Sequence, residues 1–371
     1  MLIGVPKEIK NHEYRVGLTP AAVREFVAHG HQLIVQHDAG AAIGLSDQAY
    51  QTAGAEIVTS AAEIFARAEM IVKVKEPQAS ECAMLREGQI LYTYLHLAPD
   101  PQQTAALVKS GAVAIAYETI TGANGGLPLL APMSEVAGRM AVHAAAHHLE
   151  KSQGGLGLLL GGVPGVAAAN LVILGAGVVG SNALQIAVGM GAQVTVLDTN
   201  LERLRQLDQV YGNRIHTLYS NREHLEQAVL AADVVIGGVL LPGAAAPKLV
   251  SREMVGQMKP GAVLVDVAID QGGCFATSHS TTHADPTFIV DGVIHYCVAN
   301  MPGAVARTST FALNNATLSH GLTLANLGWR EAMRRSPHLK NGLNVALGQV
   351  TYQAVAEALA YPYRPATEML Q

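Results

Sequence analysis

Short apolar runs rich in β-branched residues alternate with amphipathic segments over residues 1 to about 130. Apolar runs of this length predict strands, and apolar positions spaced three and four apart predict helices. The predicted strands are LIGVP, QLIVQH, MIVKVK, ILYTYLH and AVAIAY. Because strands and helices alternate, the pattern predicts a parallel sheet with right-handed crossovers.

A second series of strands follows one long helical segment, PMSEVAGRMAVHAAAHHLEKS. Its strands are NLVILG, AQVTVLD, RIHTLY, DVVIGG, AVLVDVA and PTFIVDGVIHYCVAN, and the tail from Val305 onward has a helical pattern. The predicted fold class is therefore α/β, with two Rossmann-like doubly wound domains that are separated by a cleft and linked by long helices. The predicted domains are residues 1–130 plus 306–371, and residues 131–305.

Composition supports this picture and excludes some partners. A chain of 371 residues exceeds the size at which one hydrophobic core stops growing, so two domains are expected. The formal net charge of -5 offers no basic surface for nucleic acid. Three widely spaced cysteines indicate a reducing, cytoplasmic compartment. Residues 154–197 carry no charge, but their many glycines favour a buried strand and helix over a membrane span.

A GxGxxG motif, formed by Gly175, Gly177 and Gly180, lies between a predicted strand and a predicted helix. The first glycine permits a tight turn, the second lets the backbone approach a diphosphate, and the third lets the helix pack on the strand. Asp198 ends the next strand, roughly 20 residues further on, where a carboxylate binds the ribose hydroxyls of NAD. The motif therefore predicts an NAD-binding domain over residues 131–305.

The charge of Asp198 also bears on the choice between NAD and NADP. A carboxylate beside a 2'-phosphate repels it by ~1 to 4 kcal/mol, so NAD is favoured. Arg203 and Arg205 follow and could offset this repulsion, but we interpret both as solvated helix residues.

Charged residues at the carboxyl ends of parallel strands are the first candidates for chemistry, because ligands collect there. Arg15 follows the first strand, Lys75 ends MIVKVK, His96 ends ILYTYLH and Asp270 follows AVLVDVAI. If the two sheets face each other, one cleft would collect all four.

These residue types suit the oxidation of an amino acid. Arg15 and Lys75 could hold a substrate carboxylate. His96 could transfer protons near pH 7, and Asp270 could orient and deprotonate a water molecule. We therefore predict that residues 1–130 plus 306–371 form the substrate domain.

Two further groups suggest other chemistry. His143 and His147 are four residues apart on one helix, as zinc ligands can be, but no third ligand follows, and no metal site is predicted. Cys274 lies near the candidate residues, but no base adjoins it, so a packing role is favoured.

Several longer segments carry a family resemblance: IGVPKEIKNHEYRVGLTP, IVKVKEP, YTYLHLAPD, MSEVAGRMA, VILGAGVVG, VTVLDTN, KLVSREMVGQMKPGAVLVDVAIDQGGC and YCVANMPGAV. On these the chain closely resembles bacterial alanine dehydrogenases, a group that also includes the NAD-binding subunit of proton-translocating transhydrogenase. The resemblance covers nearly the whole chain. Gly17 departs from it, since that family usually has alanine there.

The resemblance implies reversible, NAD-dependent oxidative deamination of L-alanine to pyruvate and ammonium by a homo-hexamer, with neither nucleic acid nor membrane as partner. It implies that Arg15 and Lys75 hold the substrate carboxylate and that His96 and Asp270 act in catalysis. It adds cofactor contacts at Ser134, Val178, Val179, Asp198, Ser220, Val239, Leu240, Val267, Ala268, Ile269, Asp270, Val298, Ala299, Asn300 and Met301. Three alternatives stay open: the transhydrogenase subunit, an amino-acid dehydrogenase of saccharopine type, and a non-enzymatic NAD sensor, which would keep Gly175 to Gly180 but need neither His96 nor Asp270.

Overall fold

The computed structural model describes residues 1–239 and 246–371, so the predicted cofactor residue Leu240 lies outside the described residues. The chain forms two compact units. The first consists of Met1–Met133 and Val305–Gln371, and the second of Ser134–Ala304. Each unit is an α/β fold on a mostly parallel sheet, which confirms the predicted fold class.

The described strands form two sheets, one in each unit. They are β1 Leu2–Val5, β2 Gln32–Gln36, β3 Glu56–Val58, β4 Met70–Val72, β5 Ile90–Thr93, β6 Val113–Ala116, β7 Asn170–Leu174, β8 Gln193–Asp198, β9 Ile215–Tyr219, β10 Val234–Gly237, β11 Val263–Asp266, β12 Thr287–Val290, β13 Val293–Tyr296, β14 Leu343–Ala346 and β15 Gln349–Val350.

The α-helices alternate with these strands. They are α1 Pro20–Ala28, α2 Asp47–Thr52, α3 Ala61–Arg67, α4 Ala79–Cys82, α5 Pro101–Ser110, α6 Ala131–His148, α7 Val178–Gly189, α8 Leu201–Tyr211, α9 Arg222–Ala231, α10 Arg252–Gln257, α11 Ala306–Arg335, α12 Pro337–Lys340 and α13 Gln353–Leu359. Local sequence explains several boundaries: Asp100 caps α5 through the Gln103 N–H, Pro101 begins it, and Gly111 ends it in the left-handed conformation.

The sheet of the first unit has the strand order β15-β14-β6-β5-β4-β1-β2-β3. Strands β1 to β6 pair in parallel, and β14 pairs with β6 in the antiparallel direction. The chain winds from β1 to β2 and β3 on one side, and then returns to β4 on the other. The strand order therefore reverses between β1 and β4, the position where ligands bind in doubly wound sheets.

The second sheet has the order β12-β13-β11-β10-β7-β8-β9. It is parallel except for the edge hairpin of β12 and β13. Its order reverses between β7 and β10. The glycine motif, which directly follows β7, thus lies at the switch point of this sheet.

Apolar residues cover both faces of each sheet. In the first unit, Leu33 and Val35 of β2 join one core cluster, whereas Ile34 between them joins the other. In the second unit, Ile173 and Leu174 of β7 divide in the same way. This two-sided burial explains why the strands are almost continuously apolar.

The structure corrects three expectations. The tail is not entirely helical, because residues 343–350 form the hairpin of β14 and β15. The run PTFIVDGVIHYCVAN is not one strand but a hairpin, in which Asp291 and Gly292 form the turn with positive φ angles of 51° and 82°. The long helix predicted to reach residue 152 ends at His148.

The uncharged residues 154–197 form a loop, strand β7, helix α7 and most of β8. Among the helices of the described residues, none is both long enough and apolar enough to cross a membrane.

Candidate active site

The loops that follow β1 and β4 pass close to each other in the first unit. A side chain at Gly17 would place its Cβ 2.4 Å from the Val72 carbonyl oxygen at the end of β4. Glycine at this position therefore allows the loop that carries Arg15 to lie against the end of β4.

Arg15 is buried and ion-paired with Glu13, which the sequence analysis did not single out. Arg15 donates from Nε to Glu13 Oε1 at 2.7 Å and from Nη2 to Oε2 at 2.6 Å, while Nη1 meets the Met133 thioether sulfur at 3.1 Å. Burial lowers the pKa of Arg15, but the hydrogen bonds and charge of Glu13 outweigh it, so the pKa is raised overall. Arg15 thus remains a cation in a buried position.

Replacing Glu13 by glutamine is expected to destabilise the chain by about 3 kcal/mol, because the buried guanidinium loses its compensating charge. Thermal and urea unfolding of the purified variant measure this effect. The control is Glu25→Gln, which removes the same charge from an exposed position on α1. Equal stability of the two variants would contradict the structural role of the pair.

Lys75 lies three residues beyond the end of β4 and is half-buried, so the strand is shorter than the predicted MIVKVK. Both backbone groups of Lys75 are hydrogen-bonded. The N–H donates to Glu8 Oε1 at 3.4 Å, and the carbonyl accepts from Thr93 Oγ1 at 2.9 Å. Glu8 is in turn paired with the fully buried Lys73 at 2.9 Å. This buried pair anchors the segment that presents Lys75.

Lys73 also pairs with Glu81 at 2.8 Å, so one buried ammonium serves two carboxylates. Burial raises the pKa of Glu8, and Lys73 opposes this rise only in part. The sequence did not reveal this triad. Lys73 and Lys75 are two residues apart in IVKVKEP, so both would lie on the same face of a strand, and the pattern alone does not say which of them is buried.

His96 has the left-handed backbone conformation, with a φ of 50°, which is uncommon for a non-glycine residue. The Glu118 carboxylate holds this backbone: Oε1 accepts from the N–H of His96 at 2.7 Å and of Leu95 at 3.2 Å. The imidazole stacks on the Tyr94 ring, with centroids 5.9 Å apart and planes 14° apart.

Tyr94, which stacks on His96, is also influenced electrostatically by Arg15. Burial raises the pKa of Tyr94, and the nearby Arg15 charge opposes the rise. The phenol donates to the Leu129 carbonyl at 2.5 Å, which fixes the ring. The structure therefore places His96 against a buried ring that lies within the electrostatic influence of Arg15. Lys75 is held by a hydrogen bond from Thr93, the neighbour of Tyr94.

The three glycines of the second unit have the local geometry on which their predicted roles depend. Gly175 has a φ of 93°, which favours glycine, and a Cβ there would lie 2.9 Å from Val239 Cγ2. A Cβ at Gly177 meets no heavy atom within 4 Å, so the backbone there is open to a ligand. A Cβ at Gly180 would lie only 1.8 Å from the Gly175 carbonyl oxygen, so helix and turn pack tightly. The geometry fits a dinucleotide diphosphate at the start of α7.

Asp198 ends β8 and joins the same turn. Its Oδ2 accepts from the Ala176 N–H at 2.6 Å, and its Oδ1 accepts from the Asn200 N–H at 2.7 Å. The interpretation of Arg203 as a solvated residue is wrong: its guanidinium binds the Ala176 carbonyl at 2.9 Å and Ser181 Oγ at 2.6 Å. Arg205 is exposed and pairs with Glu202 at 3.3 Å, as expected of a solvated residue.

Asp270 is exposed on a single 3₁₀ turn, Ile269–Gln271, beyond β11 in the second unit. The loop after it is held by a different carboxylate, Asp266, which accepts from the Cys274 N–H at 3.1 Å and from Ser278 Oγ at 2.6 Å. Burial raises the pKa of Asp266. Of the two carboxylates in VDVAID, Asp266 therefore lies at the strand end and has a structural role, whereas Asp270 lies beyond the strand and is accessible.

The other predicted cofactor residues that the structure describes lie on six segments of the second unit, and their exposure varies. Val178 is exposed, Val179 and Ala268 are buried, and Ser220 donates its N–H to the Asp198 carbonyl at 2.9 Å. The remaining positions are Ser134 on α6, Val239 after β10, Val267 and Ile269 around the 3₁₀ turn, and Val298, Ala299, Asn300 and Met301 after β13.

The remaining candidate groups are Cys274 and the two histidines of α6. Burial raises the pKa of the Cys274 thiol to about 12, which suits packing rather than nucleophilic attack. His143 and His147 are exposed, and His147 lies 3.5 Å from Glu150. Within the described ranges, the group with metal-ligand proximity is instead His37, Asp38 and Asp47.

Family models match both halves of the chain. The model described as alanine dehydrogenase/PNT, N-terminal domain, matches residues 4–137, and the corresponding C-terminal domain matches residues 141–353. The chain belongs to the alanine dehydrogenase/PNT family.

Individual members of the alanine dehydrogenase/PNT family are similar over their full length. Alanine dehydrogenase from Halomonas elongata is 59% identical over 370 residues, and that from Methanococcus maripaludis is 56% identical over 371, with complete coverage of both chains in each case. A solved L-alanine dehydrogenase superposes with a TM-score of 0.94 at 50% identity, covering 97% of this chain and 99% of the other.

A transhydrogenase from Sinorhizobium meliloti superposes with a TM-score of 0.81, covering 95% of this chain and all of the other. Its sequence identity is 24%, so this likeness concerns the fold alone.

Proposed function

We propose that this chain is an NAD-dependent alanine dehydrogenase that reversibly oxidises L-alanine to pyruvate and ammonium. The proteins that it resembles at 50% identity or more over their full length carry that name. The observation that carries the proposal is the arrangement around Tyr94, whose buried ring stacks on the His96 imidazole and whose rise in pKa is opposed by the Arg15 charge.

The substrate residues belong to the first unit in this proposal. Arg15 and Lys75 bind the carboxylate of alanine or pyruvate, for which a buried, permanently charged guanidinium is well suited. His96 takes a proton from the substrate nitrogen during oxidation and later from the hydrated intermediate.

The second unit is the NAD-binding domain in this proposal. Gly175, Gly177 and Gly180 receive the diphosphate, and Asp198 binds the ribose hydroxyls. When bound, NAD accepts the hydride that leaves the substrate Cα. Asp270 orients and deprotonates the water that adds to the substrate iminium, and its negative charge stabilises that cation. Its exposed position on a turn leaves its carboxylate accessible.

The remaining predicted cofactor contacts belong to the same proposal. They are Ser134, Val178, Val179, Ser220, Val239, Leu240, Val267, Ala268, Ile269, Val298, Ala299, Asn300 and Met301. A homo-hexamer in the cytoplasm also stays a prediction, which light scattering of the purified chain and cell fractionation would test.

The decisive assay follows the absorbance of NADH with pyruvate and ammonium, and then with NADPH and with other 2-oxo acids. An alanine dehydrogenase consumes NADH only when both pyruvate and ammonium are present. In a transhydrogenase subunit, NADH consumption would not depend on pyruvate. A saccharopine-type enzyme would require an amino acid, such as lysine or a glutamate-like partner, in the assay. Either result would reject the proposal.

Replacing Asp198 by alanine is expected to weaken NAD binding and to narrow the preference for NAD over NADP by about 10-fold or more. The physical reason is the loss of both the ribose contact and the repulsion of a 2'-phosphate. The ratio of kcat/KM for the two nucleotides measures the change, with Asp208→Ala on the exposed face of α8 as control. An unchanged ratio would exclude the ribose contact.

A further inference from the structure

Arg203 has no role in the function proposed above, yet its guanidinium binds the carbonyl of Ala176 in the glycine turn. From helix α8 it donates from Nε to the Ala176 carbonyl at 2.9 Å and from Nη2 to Ser181 Oγ at 2.6 Å. The third nitrogen, Nη1, donates to Gln206 Oε1 at 2.9 Å. One side chain thus joins the helix after β8 to the turn after β7 and to the first turns of α7.

The backbone of Ala176 is held on both sides by this network. Its N–H donates to Asp198 Oδ2 at 2.6 Å, while its carbonyl accepts from Arg203 Nε at 2.9 Å. The Ser181 hydroxyl lies 2.9 Å from this carbonyl oxygen and 2.7 Å from that of Gly177, and can donate to either. In a planar trans peptide, the carbonyl of one residue and the N–H of the next point in opposite directions. Holding the Ala176 carbonyl toward Arg203 therefore fixes the direction of the Gly177 N–H away from it.

The Gly177 N–H is the donor that a diphosphate would meet at this turn. No acceptor for it occurs among residues 1–239 and 246–371, and Gly177 is the N-cap of α7, where amides lack helical partners. The space beside its Cα is also open, since an added Cβ would have no heavy atom within 4 Å.

We propose that Arg203 is a positioning residue for dinucleotide binding, which orients the Gly177 N–H toward the diphosphate by clamping the Ala176 carbonyl. This inference rests on the proposed binding of NAD. We assign Arg203 a role through the turn and not as a phosphate ligand, because each of its three nitrogens already donates a hydrogen bond to the protein and these bonds fix the plane of the guanidinium. A planar fork can hold the carbonyl and the hydroxyl together, whereas the single ammonium of lysine cannot do so with the same geometry.

The experiment compares Arg203→Gln, Arg203→Lys and Arg205→Gln in the full chain. Arg205 is the matched control, because it lies on the same helix, carries the same charge and is exposed. NADH binding is titrated by fluorescence, and ADP-ribose and adenosine are measured by competition. ADP-ribose contains the diphosphate, and adenosine lacks it. Comparing their affinities therefore distinguishes an effect on diphosphate binding at the turn from an effect on the rest of the site. Circular dichroism verifies that each variant is folded.

We expect Arg203→Gln to weaken the binding of NADH and ADP-ribose about 10-fold and the binding of adenosine less than 2-fold. Arg203→Lys should show the same losses of affinity. Arg205→Gln should change each affinity less than 2-fold. Unchanged ADP-ribose affinity in Arg203→Gln, an equal loss for adenosine, or full affinity in Arg203→Lys would overturn the inference. If Arg203→Gln does not fold, the lysine variant carries the test. Failure of the unmodified chain to bind NADH would instead reject the proposed cofactor.

Discussion

Replacing His96 by alanine is expected to lower kcat for alanine oxidation by at least about 100-fold, because a positioned proton-transfer group contributes roughly 100-fold to 10,000-fold. NADH affinity should stay the same, since the glycine turn and Asp198 belong to the other unit. Steady-state kinetics and fluorescence titration of NADH measure the two effects separately.

The control for this variant is His147→Ala, which removes an exposed imidazole from helix α6. It should retain full kcat. A near-normal kcat in His96→Ala would reject the proton-transfer role, and a parallel loss of NADH affinity would indicate damage to the fold instead.

Replacing Gly180 by alanine should abolish tight NADH binding and destabilise the second unit by about 3 kcal/mol. The new Cβ would lie 1.8 Å from the Gly175 carbonyl oxygen and 2.9 Å from its carbon. Both are backbone atoms, so no side-chain rotation relieves the overlap, and helix α7 must move away from the turn. Urea unfolding and NADH titration measure the two consequences.

Gly189→Ala is the matched control on the same helix. An added Cβ at Gly189 meets no heavy atom within 4 Å, so alanine should be tolerated and should stabilise α7 by about 0.5 to 1 kcal/mol. If Gly180→Ala behaved like Gly189→Ala, the close packing of helix and turn would not be required for binding.

The alternation of strands and helices made the fold class predictable, since buried parallel strands have a strong sequence pattern. Three strands were missed for physical reasons. Strand β3, Glu56–Val58, is too short to show a periodicity, and β14 and β15 lie in a segment whose alanine and leucine content favours helix. The Asp291-Gly292 turn was recognisable, because this dipeptide between apolar runs indicates a hairpin.

The candidate site was only partly predictable. The rule that ligands collect at strand ends selected Arg15, Lys75 and His96, and it applies equally to Glu118, which follows the strand AVAIAY but was not chosen. Glu13 could not be found in this way, because its pairing with Arg15 depends on a loop conformation that no periodic pattern encodes. Arg203 was misassigned because its contacts are with a turn distant in sequence.

The hairpin of β14 and β15 has a consequence for biosynthesis. Strand β6 receives its antiparallel neighbour β14 only after more than half of the chain has followed it from the ribosome. The inserted residues 134–304 can acquire their contacts earlier, while β6 still presents an unpaired edge to other nascent chains. Messages truncated before residue 343 should therefore yield products that aggregate through this edge, even when the inserted segment has folded.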